Sequence, residues 1–227
     1  MRIMYLILIS LVISVGLYSD SISDKLFDKL HNTLCDKIVD SGIYKTCYSY
    51  NNKGPLIVAY TVNKDKVDVL NLKNNIKWKV AYTIPKEYRQ HNSDYYSTGY
   101  DKGHLAADRY FDYNIDTVKK TYILGLNSVP MSINLNRSRW RKAENRVIKL
   151  LDKYPYVNVI DIMVYSDKTI GNGVHIPKTL FKLLYNKDIK ECYKYNGLDV
   201  KVYNDKLSMH KVPCGNIVVI SKIKILQ

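Results

Sequence analysis

Residues 99–111, GYDKGHLAADRYF, and residues 121–147, TYILGLNSVPMSINLNRSRWRKAENRV, decide the fold. The second block opens the clearest helix in the chain, Asn136 to Leu151. Trp140, Ala143, Val147, Leu150 and Leu151 recur at i, i+3, i+7, i+10 and i+11, the stripe of a helix packed on a core. Its other face carries Arg137, Arg141, Glu144 and Lys149. The first block sets His104 behind an Asp-Lys-Gly turn. Histidine is the side chain whose unperturbed pKa suits a general base near neutral pH. Glycine before it permits close backbone approach, and Asp101 is near enough to support the site. An amide oxygen such as that of Asn136 is a hard, neutral ligand for Mg²⁺, which keeps most of its own water. Glu144 follows Asn136 by eight residues, which on an α-helix places the two about 80° apart. Base, amide and carboxylate together are what hydrolysis of a phosphodiester needs.

Outward from these blocks the pattern mixes strands and helices without regular βαβ alternation, which predicts an α+β fold. Residues 20–39 read as a helix on Leu26, Leu30, Leu34 and Ile38. Residues 55–62, PLIVAYTV, read as a buried strand after an Asn-Asn-Lys-Gly turn. Residues 67–82 read as a charged strand and 83–100 as a polar loop. Asn114 to Tyr122 opens as a helix, and 122–129 and 157–164 read as strands. A second helix is expected over Lys178 to Tyr185, with further strands at 200–203 and 216–223. No repeat or linker divides residues 20–227, so they are expected to form one domain.

Composition narrows the chemistry. The 227 residues are 46% hydrophobic and 25% charged, which excludes a disordered or fibrous chain. The 35 Lys and Arg against 21 Asp and Glu give +14, which favours an anionic partner. AT-rich coding is the alternative source of that lysine. Residues 1–19 read as a signal peptide, cut after Gly16 or Ser19. The uncharged run from Ile3 to Leu17 falls short of the roughly 20 residues of a membrane span. The alternative is an uncleaved amino-terminal anchor. Cleavage removes Arg2 and lowers +14 to +13. The four cysteines, Cys35, Cys47, Cys192 and Cys214, agree with export and disulfides. Of three pairings, Cys35–Cys47 with Cys192–Cys214 closes the shortest loops. No C-x₂₋₄-C spacing supports a zinc site.

The same residues carry a family likeness. Asp101-Lys102-Gly103-His104 resembles the D-R-G-H motif of the DNA/RNA non-specific endonucleases, which have the ββα-metal (His-Me finger) fold. Tyr122 to Asn127 resembles the family's Y-L-S-N strand, and Pro130 follows in place. Leu135-Asn136, Trp140 and Glu144 match its L-N-x-x-x-W-x-x-x-E, nine residues after Asn127. Ile176-Pro177 with Phe181-Lys182 resembles a later element. The likeness covers roughly residues 43–225, and its several ordered motifs are far more specific than one tetrapeptide.

The resemblance implies a central, mostly antiparallel sheet flanked by helices. It implies His104 as general base, Asn136 as the direct protein ligand of Mg²⁺ (Mn²⁺ as substitute), Glu144 holding metal-bound water and Asp101 in support. Two positions depart from the family. Its motif Arg is Lys102, a point charge without a planar bidentate contact, and its Gln after the proline is Met131. The basic residue upstream of the motif is Lys77, Lys79 or Arg89. Arg141 and Arg146 face the substrate or simply solvent, and His31, His91, His175 and His210 read as packing or surface residues.

The expected protein is a secreted, periplasmic or cell-surface Mg²⁺ endonuclease acting on DNA and RNA. No small-molecule cofactor is expected, a homodimer is compatible with the resemblance, and membrane contact follows only if the signal is uncleaved. The rivals are a nucleic-acid binder of weak or lost activity, a membrane-anchored nuclease of the cell surface and a basic envelope-binding protein.

Overall fold

The computed structural model describes residues 34–227 except 71–75, 202–204, 217, 220–222 and 225–227. The signal segment, His31 and the helix expected from residue 20 lie outside the described residues as far as residue 33.

A seven-stranded antiparallel sheet forms the body, in the order β1-β2-β3-β6-β7-β8-β9. Its strands are β1 (Lys37–Asp40), β2 (Lys45–Ser49), β3 (Gly54–Asn63), β6 (Tyr156–Ile170), β7 (Val174–Tyr185), β8 (Lys190–Asn196) and β9 (Lys211–Val212). Beside it β4 (Tyr100–His104) pairs antiparallel with β5 (Ser128–Ser132). A short terminal pair joins β10 (Val218–Val219) to β11 (Ile223–Lys224). Two helices follow β4 and β5 in turn, α1 (Ile115–Thr121) and α2 (Arg141–Leu151).

β3 reads as one apolar run because both of its faces are covered. Val58, Tyr60 and Val62 enter a core with Val157 and Val159 of β6 and with Leu135, Trp140, Ala143 and Val147 of the α2 region. Ile57 and Ala59 point the other way, to Ile160, Ile162 and Leu183. That second face carries the disulfides Cys35–Cys47 and Cys192–Cys214, the pairing with the shortest loops. Each fully buried Val, Ile or Leu contributes roughly 1.5–3 kcal/mol. The β6–β7 hairpin turns at Gly171-Asn172-Gly173. Both glycines have positive φ, +46° and +75°, where a Cβ is disfavoured.

The structure corrects several expectations. Lys178–Tyr185 is not a helix but part of β7, paired with β6 from Ile170 to Asn158. Lys37–Val39 is strand rather than helix end. Among the described residues of 67–82 the only strand-like contact is an isolated bridge from Lys79 to Ile123. Residues 122–127 are irregular, and the strand begins at Ser128. His104 does not follow a turn; it ends β4.

The helix expected at 136–151 is present with one change. Leu135–Trp140 is a π-helical segment that runs directly into α2. Its i→i+5 bonding lowers the rotation per residue below the α-helical 100° or so. Unwinding therefore swings Asn136 toward the face of Glu144 and narrows the 80° angle expected of a regular helix.

Candidate active site

β4, β5 and the helix after them make the ββα unit that positions the expected residues. The pairing sets Asp101 opposite Met131, Gly103 opposite Val129 and His104 opposite Ser128. Gly103 is required by contact: a Cβ there would lie 2.4 Å from Met131 Sδ. Met131 is fully buried, so the family's polar glutamine position is occupied here by core.

The backbone after His104 is held from several sides. Trp140 Nε1 donates to the His104 carbonyl at 3.0 Å, and Tyr60 Oη to the Leu105 carbonyl at 2.9 Å. Asn127 clamps Ala106, accepting from its N–H and donating to its carbonyl, both at 2.8 Å. Beneath lies a fully buried ion pair, Lys182 Nζ to Asp161 Oδ1 at 2.8 Å. Lys182 also donates to Tyr60 Oη at 3.0 Å and sits 4.4 Å above the Trp140 ring centroid.

The imidazole is walled by rings. Trp78 lies 4.5 Å and Tyr122 4.6 Å from it, centroid to centroid. Nε2 is sealed from solvent and has no hydrogen-bond partner among the described residues. Burial therefore pushes the His104 pKa down to about 4, against the opposing charge of Asp108. Asp108 accepts from Tyr122 Oη at 2.5 Å. His104 is thus a neutral base throughout the physiological range.

Asp101 accepts two bonds from Arg137, at 2.8 and 2.9 Å, and one from Asn136 Nδ2 at 3.0 Å. Burial opposes its charge, but these bonds and the Arg137 cation outweigh it and hold its pKa below the ordinary value. A carboxylate only accepts, so it fixes the Asn136 amide with NH₂ toward Asp101 and leaves Oδ1 for another partner. Among the described residues no three His, Cys, Asp or Glu side chains cluster as metal ligands. A hard cation on Oδ1 would keep most of its water, which suits Mg²⁺.

Glu144 lies on the inner side of α2. Burial raises its pKa to about 7, against Lys182, while Asp161 and Asp108 raise it further. Lys102 stands 5.6 Å from the centroid of Tyr95, its pKa lowered by partial burial. Of the helix arginines, Arg141 is exposed. Arg146 does not face this cleft: it forms a bidentate pair with Glu191 of β8 at 2.9 and 2.6 Å. Of the upstream basic residues, Arg89 is spent on the Ile84 and Tyr82 carbonyls, while Lys77 and Lys79 are exposed. His175 and His210 bind Ser166 and Asp205, as packing histidines do.

The sequence reading missed Trp78 and Asp108, and it named Lys182 only within the Phe181-Lys182 likeness, not in a network with Asp161 and Tyr60. Asp108 stands four residues after His104, a spacing that could have drawn attention. Nothing in the sequence marks Lys182 as buried, since lysine almost never is.

The profile of DNA/RNA non-specific endonucleases matches residues 28–224. The chain is 24% identical over 155 residues to the mitochondrial nuclease of Saccharomyces cerevisiae, covering 61% of this chain and 47% of that one. It is 23% identical over 154 residues to human mitochondrial endonuclease G, covering 62% and 52%. It thus spans about half the length of these curated relatives. A chain in the crystal structure of the EndoG/EndoGI complex superposes with a TM-score of 0.66 at 24% identity, covering 78% of this chain and 80% of that one.

Proposed function

The chain belongs to the DNA/RNA non-specific endonuclease family, and from that premise we propose that it is an exported, Mg²⁺-dependent enzyme hydrolysing both DNA and RNA. Membership of the family supports an endonuclease of the ββα-metal fold acting on nucleic acid, with a divalent metal as part of that reading. Magnesium, export and the residue roles are the further reading.

One observation carries it. A neutral, ring-walled histidine ends β4, and the helix after β5 presents an amide oxygen freed by Asp101. With Nε2 sealed, Nδ1 is the nitrogen left to take a proton from the attacking water. The clamps on the His104, Leu105 and Ala106 backbone fix where that nitrogen points. Asn136 Oδ1 would hold the metal, and Glu144 would orient water around it. Bound Mg²⁺ would supply positive charge to the phosphate and help the leaving oxygen depart. Lys102 adds a cation beside the scissile group, without the fork of the family's arginine. Products carry 5′-phosphate and 3′-hydroxyl. Contacts to phosphate carry little sequence information, so base preference is low.

Export rests on the amino-terminal apolar run and on four cysteines that all form disulfides. The curated relatives are named as mitochondrial. Residues 1–19 would be removed and 20–227 act as one domain. Arg141 remains a candidate phosphate contact; Arg146 does not, because Glu191 holds it.

The test uses the mature, oxidised chain with plasmid and with RNA. Both are expected to be cut with Mg²⁺ and spared in chelator. Cleavage that persists in chelator would overturn the metal reading. Binding without cleavage would favour a catalytically weak binder, the reading that Lys102 and Met131 suggest.

A further inference from the structure

The cleft beside Lys102 contains more than phosphate chemistry. It is an open depression of about 430 Å³, a volume that a nucleoside-sized group can occupy while still partly in solvent. Its lining joins polar groups, Asp101, Lys102, Asn136 and Arg137, to the rings of Trp78, Tyr96 and Tyr100, with Tyr95 beneath Lys102.

Tyr96 and Tyr100 differ from the other cleft rings. Tyr95 is buried and bonds Gln90 through its hydroxyl, and Trp78 packs on His104 and Tyr122. Tyr96 is 69% exposed. Among the described residues, neither Tyr96 nor Tyr100 forms a ring pair or a hydroxyl hydrogen bond, but Tyr100 is half-buried and packs on the cluster of Tyr95, Leu124 and Ile176. The loop that presents Tyr96 and leads into Tyr100, the first residue of β4, is nevertheless well fixed. Asp94 accepts from His91 N at 2.7 Å and from Asn172 N at 3.1 Å. Thr98 Oγ1 donates to the Tyr95 carbonyl and accepts from Tyr100 N, at 3.0 and 3.2 Å. A pinned loop offering the exposed Tyr96 ring, with Tyr100 beside it at the start of β4, is a preorganised stacking surface.

We propose that this cleft holds one unpaired nucleobase of the substrate, stacked on Tyr96 and Tyr100, while its phosphate lies toward Lys102 and Asn136. The inference rests on the nuclease reading and deepens it. A nucleotide joins a flat π-surface to an anion across one sugar, and the cleft joins aromatic faces to cations across one cavity. Every base has a π-face, so stacking adds affinity without reading sequence. A paired base is covered by its neighbours and must leave the duplex to stack. Single-stranded and locally unpaired nucleic acid is therefore the favoured substrate.

The test compares an oligothymidylate with an abasic tetrahydrofuran chain of equal length and charge, both with the mature, oxidised protein and Mg²⁺. Wild type is expected to show kcat/KM about tenfold higher on the oligothymidylate. Tyr96→Ala should remove most of that advantage through KM, with a far smaller loss on the abasic chain, while Tyr96→Phe keeps it. Equal rates on the two chains by wild type, or an equal loss on both in Tyr96→Ala, would overturn the stacking. Failure to cut either chain would instead defeat the nuclease reading. Tryptophan fluorescence in metal-free buffer then decides the base site separately, because Trp78 lines the cleft and Trp140 is buried. Quenching by oligothymidylate and not by the abasic chain, weakened in Tyr96→Ala, supports it; equal or absent quenching overturns it.

Discussion

Two titratable residues of the site are displaced in opposite directions by the same cause. Burial holds His104 neutral, with its pKa near 4, and pushes the Glu144 carboxyl up to about 7. A neutral imidazole is free to accept a proton, and a carboxyl that ionises reluctantly would ionise more readily beside a cation. The metal-free protein should show the cost. Glu144 binds its proton more tightly folded than unfolded, so its stabilisation is full below about 4.5 and is lost as pH rises through about 7. Glu144→Gln imitates the protonated acid. At pH 8 in chelator it should be more stable than wild type by on the order of 1–3 kcal/mol in urea denaturation, and inactive with Mg²⁺. Lower stability than wild type there would show that the carboxylate is not destabilising.

At the scale of elements, the Lys182–Asp161 pair joins β7 and β6 beneath the backbone that carries His104. Removing one partner leaves the other charge buried and uncompensated. Lys182→Met should cost about 3–5 kcal/mol in chemical denaturation, and adding Asp161→Asn should recover part of it. Additive losses in the double variant would show that the pair is not coupled.

β7 also shows where sequence patterning stops. Leu180, Leu183 and Leu184 satisfy an i, i+3, i+4 helical stripe. They equally suit a strand buried on both faces, and pairing with β6 and β8 decides for the strand. The helix at 136–151 was legible because its stripe runs four turns against charged residues. His104, Asn136 and Glu144 stood out as candidates through motif spacing. Trp78 and Tyr96 did not, because they reach the cleft from an aperiodic segment by tertiary packing alone.

Across the whole molecule, some of the cations have visible uses. Arg146 and Lys211 gather around Glu191, and Lys142 pairs with Asp205. Lys102 and Arg137 line the cleft with Asn136. The number +14 favoured an anionic partner without locating it; the cleft sets Lys102 and Arg137 beside the Asn136 amide and aromatic rings, which is where the proposed phosphate would lie. The sheet carries the disulfides on one face and α2 on the other, so the ββα unit rests on a cross-linked platform. The most direct measurement is the initial rate of plasmid cleavage by His104→Ala against wild type at equal Mg²⁺, with folding checked by thermal melting. His104 as general base predicts a loss of roughly 10²- to 10⁴-fold in a folded protein. A rate within a few-fold of wild type would contradict it.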